Sequence, residues 1–366
     1  MLVTKGELSD VLQELPNAEP LSIQDSPDIF ICTLGFEDRT HSIISQLRSS
    51  GYMSKTRLLV VEYPTNEQEN QKNLNIFTEA ASTMARHEFI KFERRSFVNK
   101  LRSQLEPFKD CNNLSVYFDI STCSSYVFYP TIHELMKMNI DLTIVYSEAD
   151  IYYPTLEEWH KVDKDAQEEH HLFVQAFENA KFQSEGVSEI YSYSPYSEFN
   201  PGSKPSVLVA IPNFSVKRMN AIVNYDAELN KTQREDIVWL VGEPPSDHNK
   251  WRMDAVKITN SLNNVCSKSV STFDYKDIIK SLYEIWDQYK YTHHMTVGSL
   301  GSKLQHLGTY FFLSLHREIG LWLAEPQEFK ADRFSEGHGS CWQLKFGATG
   351  KIRELIDSYR TFKWKF

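Results

Sequence analysis

The chain has 366 residues, enough for two or three domains at about 100–200 residues each. Its 41% apolar and 13% aromatic content fills real cores and excludes wholesale disorder, while 49 acidic against 39 basic residues, a net charge of −10, exclude a general attraction to DNA or anionic lipid. No apolar run reaches the roughly 18 residues of a membrane span, so no membrane partner is expected. The N-terminal MLVTKGELSDVLQEL reads as an acidic amphipathic segment rather than a signal peptide. Five cysteines, Cys32, Cys111, Cys123, Cys266 and Cys341, are far apart and odd in number. That spacing excludes a CxxC zinc site, argues against a disulfide framework and points to a reducing, cytoplasmic compartment, with no metal and no cofactor expected.

Residues 1–28 read as an N-terminal helical segment. Short, nearly continuous apolar and β-branched runs then predict strands at Ile29–Leu34, Arg57–Glu62, Glu88–Phe92, Leu114–Ile120 and Leu142–Tyr146. Such runs suit strands buried on both faces of a parallel sheet. Helical periodicity lies between them, at Thr40–Leu47, Asn73–Met84, Val98–Leu105 and Tyr126–Met138. Leu156–Phe182 predicts one long charged helix, and Gly186–Lys204, rich in Ser, Tyr, Pro and Gly, a connector. The alternation then restarts. Strands are predicted at Val207–Ile211, Ile237–Val241, Ser269–Phe273, His294–Val297 and Gly320–Ala324, with helices at Lys217–Tyr225, Trp251–Leu262, Tyr275–Gln288 and Gln305–Arg317. Gly337–Phe346 predicts a loop and a strand, and Ile352–Tyr359 a short helix. The expected division is 1–28, a first α/β unit 29–155, a helix and linker 156–205, a second unit 206–334 and an extension 335–366.

The halves align. Gly35 falls opposite Pro212, Glu62 opposite Glu243, Phe92 opposite Phe273, Asp119 opposite Gly298 and Glu148 opposite Glu325, with offsets between 177 and 181. A diverged tandem duplication of one five-stranded unit accounts for this; the shared periodicity of all α/β domains is the alternative.

In open α/β sheets ligands bind at the carboxyl ends of the strands. After the first strand comes Gly35-Phe36-Glu37-Asp38-Arg39-Thr40. Gly35 permits a tight turn, Thr40 or Asp38 can cap the next helix, and Arg39 can meet an anion there. A capped turn with a solvated arginine is the plainer alternative. No GxGxxG occurs, so the standard dinucleotide fingerprint is absent. After the fourth strand of the first half comes Asp119-Ile120-Ser121-Thr122-Cys123-Ser124-Ser125; its counterpart is Thr296-Val297-Gly298-Ser299-Leu300-Gly301-Ser302-Lys303. In the latter, Gly298 and Gly301 allow close approach of backbone, Ser299 and Ser302 add hydroxyls, and Lys303 adds charge at a helix start. The combination suits a phosphate or another anion, though a Gly/Ser turn with a surface lysine has the same look.

A Rossmann-like unit with a polar turn after strand one and a Gly/Ser/Lys turn after strand four resembles CARF domains, and two such units in one chain resemble the SAVED arrangement of bacterial antiphage systems. The resemblance implies two tandem, diverged Rossmann-like units with mainly parallel five-stranded sheets. It also implies a sensor of nucleotide or oligonucleotide second messengers in prokaryotic antiviral defence. Carried over by position, Gly298, Ser299, Gly301, Ser302 and Lys303 would contact phosphates. Gly35, Arg39, Thr40, Asp119, Ser121 and Ser124 are the first-half candidates, although Asp119–Ser125 departs from the pattern in having neither glycine nor lysine. No fused effector is expected within the chain, so the implied partners are the ligand and a separate effector protein, without strong binding of duplex DNA. The Gly298–Lys303 turn is expected to face the first-half loops across a shared cleft.

Glu62, Glu148, Glu243 and Glu325 end or follow predicted strands. Near a phosphate they would take ribose hydroxyls or base amino groups instead. Paired carboxylates also fit a nucleotide-processing enzyme of N-glycosidase or phosphodiesterase type, with catalytic residues unassigned; helix capping is the structural alternative. A third possibility is a structural subunit with a degenerate site. His306, one turn beyond Lys303, is the best-placed histidine, with a structural role as its alternative. Tyr126, Phe128, Tyr129, Tyr152 and Tyr153 could stack on a base, but at helical spacing such residues are more often core. Cys123 lacks a sequence-near base and is not read as a nucleophile.

Overall fold

The computed structural model describes residues 7–109, 111, 114–166, 183–193, 199–200, 204–262 and 265–363. In chain order the strands are β1 (Glu19–Pro20), β2 (Ile29–Leu34), β3 (Arg57–Glu62), β4 (Arg86–Lys91), β5 (Leu114–Asp119), β6 (Ile140–Ser147), β7 (Ile151–Tyr152), β8 (Ser184–Glu185), β9 (Glu189–Tyr193), β10 (Ser206–Ile211), β11 (Ile237–Glu243), β12 (Ser267–Ser271), β13 (His294–Ser299), β14 (Gly320–Glu325), β15 (Glu328–Phe329), β16 (Ser335–Glu336) and β17 (Cys341–Ala348). They form two compact units, one of Met1–Tyr152 with Ser335–Phe366 and one of Tyr153–Phe334.

The first unit holds a seven-stranded sheet of order β1-β17-β6-β5-β2-β3-β4, and the second a six-stranded sheet of order β12-β11-β10-β13-β14-β9. Five strands of each are parallel. If those five are numbered in chain order, both sheets read three-two-one-four-five, and in both an antiparallel strand lies beside strand five: β17 on β6, and β9 on β14. Central β2 and β10 are buried at all six positions, which is why IFICTL and SVLVAI carry almost no polar residue. The outer strands β4 (RHEFIK) and β12 (SKSVS) are largely exposed, and their Arg, Lys and Ser discourage pairing with other chains.

Helices fill the crossovers. In the first unit they are Ser42–Ser49, Glu67–Ser82, Arg94–Leu105 and Ser125–Lys137; in the second, Val216–Asn230, Trp251–Thr259, Tyr275–Tyr289 and Lys303–Leu315. Several boundaries move for physical reasons. Helix Glu67–Ser82 starts before Asn73, with Glu67 and Glu69 suiting its first turn, and those turns, EQENQK, show no apolar periodicity by which to read them. Strand β12 stops at Ser271 because the Ser271 hydroxyl accepts hydrogen bonds from Phe273 N (3.1 Å) and Asp274 N (2.9 Å), turning the chain. Inside the expected connector Gly186–Lys204, EIYSY forms β9, laid antiparallel along β14. Of the expected helix Leu156–Phe182, Leu156–Ala166 is helical and 167–182 lie outside the described residues. The C-terminal segment returns to the first unit: β16 pairs with β7, and β17 buries Leu344 and Phe346 while pairing along β6.

A buried carboxylate organises the second unit. Asp226, fully buried, accepts hydrogen bonds from Asn230 Nδ2 (2.8 Å), Thr296 Oγ1 (2.7 Å), Trp322 Nε1 (2.5 Å) and Thr232 Oγ1 (2.5 Å). One helix thereby grips strands four and five. No helix among the described residues is long and apolar enough to cross a membrane.

Candidate functional site

In each sheet the strand order reverses direction beside strand one, so the gap between the carboxyl ends of strands one and four is the topological switch point. In the second unit the loop there is Leu300-Gly301-Ser302, leading from β13 into helix Lys303–Leu315. Leu300 N donates to Ile211 O (2.9 Å), which ties the loop to β10. Ser302 is the helix N-cap: its hydroxyl accepts from Gln305 N (3.1 Å) and donates to Thr272 O (2.5 Å), while Ser302 N donates to Gln305 Oε1 (2.9 Å). Gln305 Nε2 donates in turn to Ser271 O (3.1 Å). The two glycines have packing reasons. A Cβ on Gly301 would run into the Gln305 carboxamide, and one on Gly298 would lie 2.5 Å from Ile222 Cγ2.

Lys303 is partly buried at the first residue of this helix. Arg218, in the first turn of helix Val216–Asn230, donates from Nε (3.0 Å) and Nη2 (2.7 Å) to Ala324 O near the end of β14. His306 is 6% exposed, with Nδ1 3.4 Å from Ser299 Oγ. Burial first, and then the charges of Lys303 and Arg218, push its imidazole down to about 3, so it is neutral at pH 7. Two cations and two helix starts therefore share the carboxyl end of this sheet, a field that favours an anion. The sequence pattern did not single out Arg218, which in SVKRMNAIV looks like any solvated residue of an amphipathic helix.

The corresponding end of the first unit is built differently. Arg39, 4% exposed, donates from Nε to Glu37 Oε2 (2.9 Å), with Nη2 2.8 Å from the same oxygen. Its Nη1 reaches Ser147 O (3.2 Å) and Tyr152 Oη (3.3 Å). Burial alone would weaken its hold on the proton, but Glu37, Tyr152 and Tyr146 reverse that and keep the guanidinium charged. Ser335 Oγ donates to Glu37 Oε2 (2.5 Å), and Gly337 N to Asp38 Oδ2 (3.0 Å). Thr40 Oγ1 donates to Thr33 O (2.7 Å), accepts from Gly35 N (3.2 Å) and meets Thr122 Oγ1 (3.0 Å), which also meets Thr33 Oγ1 (2.7 Å). Asp119, 3% exposed, accepts from Ser121 N (2.9 Å) and Ser121 Oγ (2.5 Å). Burial lifts its carboxyl to about 6, against the downward pull of Ser121 and Arg39. Ser121 Oγ also accepts from Ser147 N (2.8 Å), and Ser124 N donates to Tyr63 Oη (2.8 Å).

The two loops can be matched residue by residue. Ile29 pairs with Val116 and Ser206 with His294; with Ile29 and Ser206 as the first residues of the central strands, the fourth strands are offset by 178. The N-caps Ser124 and Ser302 give the same offset. Ser121 then matches Ser299, Asp119 matches Val297, and Ser125 matches Lys303.

The strand-end glutamates separate. Glu62 and Glu243 end strand two of their units; Glu243 Oε2 accepts from Ser269 Oγ (2.9 Å), and Glu62 is partly buried beside Lys91 in register. Glu148 Oε2 accepts from Trp342 Nε1 (2.9 Å), and Glu325 ends β14 opposite Glu189. Tyr126, Phe128 and Tyr129 belong to the core, at 7%, 0% and 0% exposure. Cys123 is buried, its thiol donating to Asp119 O (3.4 Å). Among the described residues, no three His, Cys, Asp or Glu come together as metal ligands.

The sequence matches no protein-family model and no curated protein. Among solved structures, a type III CRISPR defence DNA nuclease activated by cyclic oligoadenylate is similar with a TM-score of 0.45 and 8% identity, over 77% of this chain and 63% of that one. The chain thus spans less than two thirds of that nuclease. A universal stress protein from Archaeoglobus fulgidus DSM 4304 gives a TM-score of 0.23 at 9% identity, over 82% of this chain and 97% of that one. A UDP-N-acetylglucosamine 2-epimerase gives 0.21 at 10% identity, over 80% and 88%.

Proposed function

We propose that the chain is a sensor subunit that binds a nucleotide or oligonucleotide second messenger and signals to a separate effector protein in prokaryotic antiviral defence. One observation supports this above the rest: Lys303 begins a capped helix at the switch point of the second sheet, and its charge converges with that of Arg218 on buried His306. A phosphate there meets a helix start and a lysine. Gly298 and Ser299, which end β13, lead into the loop of Gly301 and Ser302 that presents it, and Glu243 and Glu325, repelled by phosphate, turn to ribose hydroxyls or base amino groups. We infer also that the two units descend from one by duplication, which the shared strand order and the 178-residue offset support.

The test is binding of short cyclic and linear oligoadenylates to the full chain and to Lys303→Ala. Losing a charge-assisted contact costs about 10–150-fold in affinity, with unfolding unchanged. An intact parent that binds none of these ligands would refute the proposal.

A further inference from the structure

We infer that the chain takes up its anionic ligand in the second unit alone, because the matching end of the first unit already holds the protein's own carboxylate, Glu37 on Arg39. This deepens the function proposed above and rests on it.

Four features of the first unit oppose an incoming phosphate. Arg39, the cation of its strand-one loop, has all three nitrogens engaged, two of them with Glu37. The side chains of that pair are 4% and 6% exposed, and Ser335 holds the same Glu37 oxygen. A phosphate would have to expel a buried carboxylate into water and break the Ser335 bond, for a contact of the same kind. Second, Ser125 stands where the second unit has Lys303, so the helix start lacks its cation. Third, Asp119 places a buried carboxyl two residues before Ser121, where the second unit has Val297. Fourth, the donors are already used. Ser124 N is bonded to Tyr63 Oη, Tyr63 Oη donates to Thr122 O (3.3 Å), and the hydroxyls of Thr33 and Thr40 are each bonded to that of Thr122. The Tyr63 ring packs between Phe92 (6.4 Å) and Tyr126 (6.3 Å), closing this end with aromatic surface.

The second unit lacks the first three of these obstacles at the matching positions: Phe214 and Val216 replace the ion pair, Lys303 replaces Ser125 and Val297 replaces Asp119. Its ligand is accordingly a molecule grasped through one phosphate-bearing edge per chain. A symmetric ring gains no second, equivalent grip from the same chain.

Native mass spectrometry and calorimetry on the full chain, with 5′-phosphorylated linear and cyclic oligoadenylates as probes, decide the matter. At most one equivalent per chain is expected. Lys303→Gln should weaken binding by about tenfold or more, and Lys303→Arg should restore most of it. Lys72→Ala should change affinity less than about twofold. Lys72, on helix Glu67–Ser82, is an exposed cation bonded to Asp38 of the first-unit loop (3.1 Å), and a phosphate seated there would need it. Two equivalents per chain, or a larger loss from Lys72→Ala than from Lys303→Gln, would overturn the inference and leave the sensor function standing. No binding by the parent overturns the function and the inference with it.

Discussion

Ser125 and Lys303 hold the same place in their two units: each is the first residue of a 13-residue helix that follows strand four, directly after a serine N-cap. The caps differ as the first residues do. Ser302 is answered by Gln305 three residues on, whereas Ser124 is followed at that position by Val127, and its hydroxyl makes no bond to the helix. One backbone plan thus supports a charged, capped helix start in one unit and an uncharged one in the other. The polar investment of the first unit lies instead in the Glu37–Arg39 pair and the strap that returns through Ser335.

That pair should dominate local stability. Removing one partner of a buried ion pair leaves the other charge unanswered, at a cost of about 3–5 kcal/mol. Glu37→Ala should therefore lower the stability of the first unit by that order, with Arg39 left among Tyr146, Tyr152 and the Ser147 carbonyl. Ser335→Ala, losing one hydrogen bond to the same carboxylate, should cost about 1–3 kcal/mol. Chemical unfolding followed by amide exchange on β2 and β6 reads both. A loss below about 1 kcal/mol for Glu37→Ala would mean that the pair is not what holds this loop.

Much of the fold was legible because parallel strands buried on both faces write themselves as continuous runs. Ile29–Leu34 and Arg57–Glu62 need no context to be read as strands. β9 was hidden because EIYSY shares its stretch with turn-forming residues, and its partner β14 lies more than a hundred residues away. The site was legible where the signal was local, as in the Gly298–Lys303 turn. It was illegible where the deciding contact is distant or ordinary. Nothing in SVKRMN marks Arg218, and nothing in GFEDRT says that the anion meeting Arg39 is Glu37 two residues earlier. Gly298 and Gly301 look alike in sequence; the structure assigns the first to packing against Ile222 and the second to making room for Gln305.

Gly298 offers a test of that assignment. A Cβ there meets Ile222 Cγ2, a fully buried branch on helix Val216–Asn230, so Gly298→Ala should destabilise the second unit by about 1–3 kcal/mol through overpacking. Pairing it with Ile222→Ala removes the obstructing atom, and the double variant should lose less than the two single losses added together. Trp322, buried in the same core, supplies a fluorescence signal for the unfolding curves. Strict additivity would show that Ile222 is not the reason for glycine at this position.

His306 links stability, pH and the anion site. Its ordinary value is 6.5 and its folded value about 3. Below 6.5 the unfolded chain takes up a proton that the folded chain refuses, so the histidine's contribution is fully present above 6.5 and is lost as pH falls towards 3. The full interval corresponds to roughly 5 kcal/mol as an order of magnitude. Replacing the imidazole by a group that does not titrate, His306→Gln, should flatten the acid side of the stability curve. A phosphate bound beside Lys303 and Arg218 would offset two of the three causes of the depression and leave only burial. The imidazole should then titrate higher when a 5′-phosphorylated oligoadenylate is saturating, and by linkage affinity should rise as pH falls through that raised value, still below 6.5 because burial remains, towards 3. Nitrogen chemical shifts of the labelled imidazole, followed through pH with and without the probe, measure this directly. An unmoved titration in a chain that binds the probe would place the anion somewhere other than between these two cations.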